Sequence, residues 1–292
     1  LQQLPREVVP TSMLNSAAVW EALLDKMPMT AMIRNLATMT RVGLLVPGAE
    51  ATNKVVAILG EQEQLRRARV HPMQLLIALK TYASGGGVRS TRTHTAVQKV
   101  VDALDEAFYK AFGNVVPTNK KILLGIDWSG SMGSPEILPG IIPAYGAAAM
   151  ALITAASETK CDIVTFATSI KPVSVSPGMR LDQVHSITAR GTGEGTDCSV
   201  PIRYALSHNL KSEAFVIYPD SQSWYGEQHP IEALWEYRRK TGIPAKLVCV
   251  NMVANEYSLV SAAGNGKDDA LTMNAAGFDA AVPQLVSDFV AG

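Results

Sequence analysis

The chain of 292 residues is long enough for one or two domains, and its composition, 47% hydrophobic and 18% charged, is that of an ordinary globular protein. It contains no apolar run of about 18 residues, which argues against a transmembrane helix. The first ten residues lack an initiator Met and a signal-peptide pattern, so we expect a chain that begins inside a longer protein or was processed. The three cysteines lack metal-ligand spacing, which favours reduced thiols and a cytoplasmic location.

The net charge of zero hides an uneven distribution of charged residues. Residues 1–120 contain 14 Lys or Arg and 9 Asp or Glu, whereas residues 121–292 contain 12 and 17. No acidic residue occurs between Glu63 and Asp102, yet this segment is rich in cations. The asymmetry predicts two domains with different partners. The cations of the segment are Arg66, Arg67, Arg69, Lys80, Arg89, Arg92 and Lys99.

The first part of the chain, residues 1–117, has the apolar spacing of helices, and we find no strand pattern before residue 120. The sequence SGGG at 84–87 and the residues VRSTRT that follow it predict a flexible basic connector. Helix pairs with short links are typical of an α-solenoid, here a HEAT-like repeat. The helical segments are 17–27, 28–43, 52–60, 71–85 and 94–112.

The second part, residues 118–292, alternates strand-length apolar runs with helical segments. A run of this kind can be buried on both faces, which is typical of a parallel sheet with helices on each side. We therefore predict an α/β, Rossmann-like domain with a mostly parallel sheet. A shorter segment, 170–176, is predicted to be an edge strand. The buried strands are predicted at 121–127, 161–168, 214–220 and 245–252, with a short strand and a helix closing the chain.

Ligands of such sheets bind beyond the carboxyl ends of the strands, where three loops of this chain should meet. The loops begin with DWSGS at 127–131, GTGEGTD at 191–197 and PDS at 219–221. Together they offer carboxylate and hydroxyl oxygens, the ligands that Mg²⁺ prefers, and too few of them to fill its coordination shell. We predict a site for Mg²⁺ or another divalent cation, with one position open to an outside acidic group. The predicted ligands are Asp127, Ser129, Ser131, Thr196 and Asp220.

The motif DWSGS resembles the DxSxS of von Willebrand factor A (vWA) domains, whose metal-ion-dependent adhesion site is completed by a Thr and an Asp from later loops. The resemblance implies that Thr196 and Asp220 take these roles. Two features depart from the pattern. Pro219 stands where a Thr often precedes the Asp, and Trp128 occupies a slot that usually holds a small residue.

Longer stretches resemble the Ro ribonucleoprotein autoantigen family, in the order in which that family has them. They include EALLDKMPMTAMIRNLATMT, RARVHPMQLLIALKTYASG, GTDCSVP and HPIEALWEYRRKTGIPAKLVCVNM. The resemblance implies a TROVE module, a ring of helical repeats, followed by a vWA domain. It also implies binding of Y-type RNA and of the single-stranded ends of misfolded noncoding RNAs, with an exoribonuclease as a further partner.

A complete TROVE module is much longer than the roughly 115 helical residues present in this sequence. Either the rest of the module lies on another chain, or it was removed, or this is a shortened relative, so we do not expect the ring to close within this chain. Within the basic segment the only aromatic residue is Tyr82, so we expect contacts with the RNA backbone rather than base reading. The ordinary alternative is a solvated helix face, and His71, just before Pro72, can equally be structural. The predicted RNA contacts are Arg66, Arg67, Arg69, His71, Lys80, Arg89 and Arg92.

The sequence favours a non-catalytic RNA-binding protein, and two other classes stay open. One is a metal-dependent adhesion or scaffold module that captures a partner carboxylate. The other is a hydrolase, which would use Ser129 or Ser131 with a histidine as base, but neither serine lies in a nucleophile elbow. The loop GTGEGT is not a phosphate loop, since no GK[ST] follows. The candidate bases are His185, His208 and His229.

Overall fold

The computed structural model describes residues 6–87, 90–189, 195–220, 226, 228–253 and 269–292. The chain forms two compact units. The first comprises Leu1–Val115 with Leu138–Gly140, and the second Val116–Ile137 with Ile141–Gly292. The first is helical and the second is an α/β unit with a mostly parallel sheet, so the predicted fold class is confirmed. No helix among the described residues combines the length and the apolar character needed to cross a bilayer.

The helices of the first unit pack through amphipathic faces. In the second of them the buried residues recur every three or four positions, which is the spacing of one helical face. Met29, Met32 and Met39 lie on this face and are buried in the core of the unit. A short helix at 62–67 was not predicted, because six residues are too few to show a period. The described helices are α1 Ala17–Leu24, α2 Met29–Arg41, α3 Glu50–Gly60, α4 Gln62–Arg67, α5 Pro72–Ala83 and α6 Gln98–Lys110.

The prediction of a flexible connector without strands was wrong. Strand β1, Gly86–Gly87, pairs in antiparallel fashion with β2, Ser90–Thr93. Gly85 precedes the pair with a φ of 71°, and a Cβ at this position would lie 2.8 Å from the carbonyl oxygen of His94. The backbone N–H of His94 donates to the carbonyl of Gly85 at 2.8 Å. A hairpin this short has too few residues for an alternating apolar pattern, which is why the sequence did not reveal it.

Tyr82 connects three segments of the helical unit. Its hydroxyl lies 2.8 Å from the hydroxyl of Thr40 in α2 and accepts the backbone N–H of Val97 at 3.1 Å. Its carbonyl accepts from Nε2 of His94 at 3.0 Å, and the two rings lie 4.9 Å apart. The side chain is 2% exposed. These contacts fix the end of α2, the end of α5 and the segment before α6 to one another.

The second unit is built on a six-stranded sheet with the order β5-β4-β3-β6-β7-β8. All neighbouring strands are parallel except β4 and β5, which are antiparallel. The central strand β3 is buried along its whole length. The strands are β3 Ile122–Asp127, β4 Cys161–Phe166, β5 Ile170–Pro172, β6 Ala214–Tyr218, β7 Lys246–Asn251 and β8 Thr272–Ala276.

Five described helices belong to this unit. One of them, α9, approaches the sheet closely because β3 has a glycine at position 125. A Cβ on Gly125 would lie 3.0 Å from Cγ of Pro201 and 3.4 Å from the ring of Phe166. The absence of a side chain at Gly125 therefore lets the start of α9 pack against the central strand. This packing brings the loop before α9 to the end of β3. The helices are α7 Pro143–Ser157, α8 Leu181–Thr188, α9 Val200–Ser207, α10 Pro230–Thr241 and α11 Val282–Ala291.

His71 caps the N-terminus of α5. Its Nδ1 accepts the backbone N–H of Met73 at 3.1 Å, and Pro72 takes the first helical position. Burial lowers the pKa of His71 from its ordinary value of 6.5 to about 4. The neutral ring is therefore the folded form, since a protonated Nδ1 cannot accept the hydrogen bond.

The capping role predicts a pH-dependent stability. Because the folded pKa lies below the unfolded one, His71 stabilises the fold fully above about pH 6.5, and this contribution falls as the pH approaches 4. The loss should be of order 1–3 kcal/mol. His71→Asn keeps a capping oxygen that does not titrate, so the free energy of unfolding should vary less with pH in the variant. Denaturant unfolding followed by circular dichroism between pH 7 and 4.5 measures the difference.

His208→Asn is the matched control, because His208 is an exposed histidine of the second unit. Its pH profile should follow that of the wild type. An unchanged pH dependence in His71→Asn would show that the cap does not titrate in this range.

Candidate functional site

The five predicted metal ligands lie at the carboxyl end of the sheet. Asp127 is the last residue of β3, and Ser129 and Ser131 follow it in the chain. Asp220 comes two residues after the end of β6, the strand beside β3. Thr196 belongs to the loop that leads into α9. The parallel order of β3 and β6 is what places these segments at the same edge.

Asp127 is the centre of the group. Its Oδ1 accepts the backbone N–H of Ser129 at 2.8 Å, and its Oδ2 accepts the hydroxyl of Thr196 at 3.1 Å. Oγ of Ser129 lies 3.1 Å from Oγ of Ser131. Asp127 is 1% exposed, whereas Ser131 is exposed at the rim. Contacts therefore link four of the five predicted ligands to one another, namely Asp127, Ser129, Ser131 and Thr196.

The electrostatics of Asp127 favour a cation. Burial is the largest cause that raises its pKa to about 6, and the negative charge of Asp220 raises it further. Hydrogen bonds from Ser129 and Thr196 act in the opposite direction. None of the described groups that shift this pKa is a cation. Asp127 and Asp220 are buried carboxylates that repel each other, and a bound divalent cation would offset this repulsion.

The donor set fits a hard cation rather than zinc. The grouped atoms are carboxylate and hydroxyl oxygens, which suit Mg²⁺ or Ca²⁺. Within the described part of the chain, no cluster of three or more His, Cys, Asp or Glu side chains could hold a metal. Cys198, near these carboxylates, is 1% exposed, and burial raises the pKa of its thiol well above the ordinary value. A thiolate ligand is therefore disfavoured.

Asp197 is a supporting residue that the sequence reasoning missed. Its Oδ1 accepts the backbone N–H of Ser199 at 2.9 Å and the hydroxyl of Ser199 at 2.6 Å. Its Oδ2 accepts from Arg203 at 2.8 Å, and its backbone N–H donates to Ala167 at 3.1 Å. These bonds anchor the loop that presents Thr196. The Asp-x-Ser pattern just before a helix was the signal that could have identified it.

Trp128 has no hydrogen bond from its indole within the described residues, although Nε1 is buried. Its backbone N–H donates to the carbonyl of Phe166 at 3.0 Å, which continues the pairing between β3 and β4. The side chain is half-buried. The expectation that this indole covers a metal or packs against a partner stays a prediction.

The histidines considered as hydrolase bases are engaged away from the serines. Nδ1 of His208 lies 3.0 Å from the hydroxyl of Ser207 in the same segment. Nδ1 of His229 accepts the backbone N–H of Ile231 and caps α10. The ring of His185 lies 5.4 Å from that of Tyr145. None of these contacts of the three histidines involves Ser129 or Ser131.

The predicted RNA contacts fall into two groups in the helical unit. Arg66 and Arg67 are exposed at the end of α4, and both pair with Glu63, at 3.0 and 3.1 Å. Arg69 is exposed two residues later, in a left-handed conformation with a φ of 50°. Arg66 and Arg67 thus share Glu63, while Arg69 has no ion pair among the described residues, which leaves an excess of positive charge in this group.

The other predicted contacts differ from these arginines. His71 is half-buried and engaged as a helix cap. Lys80 is half-buried in α5, and burial lowers its pKa. Arg89 lies outside the described residues, as does the side chain of Arg92 in β2. The predictions for these residues remain open.

Comparison with known proteins extends these observations to the whole chain. A family model described as the Ro60 vWA domain matches residues 121–290, and a model of the TROVE domain matches residues 3–84. The chain is similar to the RNA-binding protein RO60 of Caenorhabditis elegans, with 41% identity over 99% of this chain and 44% of the relative. It is similar to the RNA-binding protein RO60 of Deinococcus radiodurans, with 38% identity over 99% of this chain and 54% of the relative.

A solved structure supports the same relationship. The crystal structure of the Deinococcus radiodurans RO (RSR) protein matches with a TM-score of 0.91 and 37% identity, covering 99% of this chain and 58% of that one. The chain spans about half the length of the curated relatives that it matches. On the strength of both domain matches and of these relatives, the chain belongs to the Ro60 family.

Proposed function

We propose that this chain binds noncoding RNA through its helical unit, without catalysing a reaction. Y-type RNA and the single-stranded ends of misfolded RNAs are the proposed ligands. The two curated relatives are named RNA-binding proteins, which supports the general class. The observation that carries the proposal is the exposed group Arg66, Arg67 and Arg69, which has Glu63 as its one ion-pairing acid among the described residues.

The arrangement of these arginines suits phosphate. A guanidinium donates two parallel hydrogen bonds to an anion, and Arg66 forms such a pair with the carboxylate of Glu63, while Arg67 donates one bond to it. Each guanidinium has five N–H groups, so donors remain for a phosphate. Every neutralised phosphate releases counterions, so affinity should fall steeply with salt. Contacts of this kind position the backbone and carry little sequence information.

The triple variant Arg66→Ala/Arg67→Ala/Arg69→Ala should lose RNA affinity. For single-stranded RNA, each lost phosphate contact should reduce the slope of log K against log salt by about 0.7, so the slope should fall by roughly 1–2. Affinity near 0.1 M salt should drop by about tenfold or more. Filter binding with an RNA that has a single-stranded 3′ end, repeated across a salt series, measures both quantities.

The control removes the same number of cations from the second unit, as Lys211→Ala/Arg239→Ala/Lys240→Ala. These side chains are exposed, and Lys240 is paired with Glu236. The control should bind RNA like the wild type. A flat salt response of the wild type, or equal losses in the two triple variants, would contradict RNA binding at the arginine group.

We propose that the second unit holds Mg²⁺ at Asp127, Ser129, Ser131, Thr196 and Asp220. The support is the buried pair of carboxylates and the contacts of Asp127 with the hydroxyl groups around it. When bound, the cation would neutralise these carboxylates and offer a coordination position toward solvent. Asp197 and its hydrogen-bond partners, Ser199 and Arg203, hold the loop that carries the Thr196 hydroxyl.

Mg²⁺ should raise the melting temperature of the wild type and have little effect on Asp127→Asn. A ligand at 100 times its dissociation constant adds about 2.7 kcal/mol to stability, which is several degrees for a unit of this size. Without metal, Asp127→Asn should be at least as stable as the wild type, because the substitution removes one of two repelling charges. Thermal melts in EDTA and in millimolar Mg²⁺ provide the comparison.

Asp182→Asn serves as the control, since Asp182 is an exposed carboxylate of the same unit. It should respond to Mg²⁺ as the wild type does. Equal melting temperatures of the wild type with and without Mg²⁺, Mn²⁺ or Ca²⁺ would rule out a functional metal site.

A second candidate function is metal-dependent capture of a partner carboxylate. Ser131 is exposed at the rim of the site, so a carboxylate from outside can reach the group of ligands. In that case a partner protein would dissociate in EDTA and fail to bind Asp127→Asn, while RNA affinity stays unchanged. Pull-downs with and without EDTA, paired with RNA binding, measure the two properties; a partner retained in EDTA would contradict metal-dependent capture.

A further proposed partner is another chain that completes a helical ring like the one that the family resemblance implies. An exoribonuclease and a cytoplasmic location stay predictions.

A further inference from the structure

A cleft in the helical unit is lined by residues other than Arg66, Arg67 and Arg69. Its volume is about 310 Å³, near the lower end of the range of about 300–1,000 Å³ typical of small-molecule sites. A volume of this size suits a single nucleotide. Polar side chains and an apolar wall both line it, and the residues that matter for the argument are Arg41, Thr93, His94, Thr95, Val46 and Pro47.

Arg41 gives the cleft its charge. Its guanidinium is exposed at the end of α2 and donates to the hydroxyl of Thr38 at 3.2 Å, which leaves further N–H groups for a ligand. No Asp or Glu lines the cleft, and no ion pair with Arg41 occurs among the described residues. An unbalanced arginine in a concave surface favours an anion such as phosphate.

His94 is held rigidly in the same cleft. Its Nε2–H donates to the carbonyl of Tyr82, so Nδ1 of the neutral ring is an acceptor. Burial lowers the pKa of His94, and the nearby charge of Arg41 lowers it further. Nδ1 of the neutral His94 ring and the exposed hydroxyl groups of Thr93 and Thr95 can form hydrogen bonds with the hydroxyl groups of a ribose.

Part of the lining is apolar. Val46 is 43% exposed, one of the large hydrophobic side chains left open to solvent, and Pro47 follows it. Thr40, His94 and Val97 also line the cleft, and all three form hydrogen bonds with Tyr82, which holds them in place. A lining that combines a cation, hydroxyl groups and an apolar surface offers contacts for the phosphate, the ribose and the base of a nucleotide.

We propose that this cleft binds one nucleotide of a single-stranded RNA, with Arg41 on its phosphate, Thr93, His94 and Thr95 near its ribose, and Val46 and Pro47 against its base. The proposal rests on the proposed RNA-binding function and adds a second contact region to it. Arg92 lies in β2 directly before Thr93, so another cation of the basic segment is adjacent in the chain.

The test compares Arg41→Ala with Arg34→Ala in the full chain. Arg34 is exposed on the same helix α2, and its loss changes the net charge equally. The probe is a fluorescein-labelled ten-nucleotide oligouridylate, titrated by fluorescence anisotropy across a salt series. Arg41→Ala should reduce the salt slope by about 0.7 and affinity by about fivefold, while Arg34→Ala stays at the wild-type values. Arg41→Lys, which keeps a point charge, should retain most of the slope.

The outcomes separate this proposal from the proposed function. If Arg41→Ala binds the oligomer like Arg34→Ala while the triple variant at 66, 67 and 69 loses binding, the cleft is not an RNA site and the proposed function stands. If the wild type binds no RNA, both fail. If uridine 5′-monophosphate binds as tightly as the oligomer and competes with it, the cleft is a mononucleotide site, which overturns the proposal that it serves RNA.

Discussion

The carboxylate of Asp127 joins two loops that are 69 residues apart in the chain. One oxygen accepts from Ser129 in its own loop and the other accepts from Thr196 in the loop before α9. The carboxylate is buried next to Asp220, so its charge is costly without a cation. These bonds hold the DWSGS loop and the loop before α9 together at the carboxyl edge of the sheet. Gly125 lets α9 approach β3, and Asp197 anchors the loop that carries Thr196.

How far the sequence predicts the structure differs between the two units. The fold of the second unit is predictable because each buried strand is an apolar run, and the end of β3 is marked by the acid of DWSGS. Asp220 and Thr196 are predictable only from their order in the chain and from the resemblance to vWA domains. Their approach to Asp127 depends on the strand order of the sheet. Asp197 was missed because its bonds to Ser199 and Arg203 are local to a loop whose fold the sequence does not dictate.

In the helical unit the sequence predicts the long helices and misses the details that build the cleft. The core residues of α2 follow from their spacing, whereas the hairpin of β1 and β2 is too short to show a pattern. Arg41 was not singled out because it lies outside the basic segment and beside no motif. The contacts of Tyr82 with Thr40 and His94 link the end of α2 to the segment that carries His94. The basic segment of the sequence therefore indicates which unit suits RNA. The cleft that contains Arg41 and His94 is formed by tertiary packing and cannot be read from the sequence.

We propose that RNA binds to the helical unit and that a divalent cation binds to the α/β unit. Ultraviolet crosslinking of the full chain to a uridine-rich RNA with a single-stranded end, followed by mass spectrometry of the crosslinked peptides, tests whether the two functions are separate. We expect crosslinks within residues 38–97, including the segments around 41–47 and 66–71, with or without EDTA. Crosslinks concentrated in residues 121–290, or lost when EDTA is added, would contradict it.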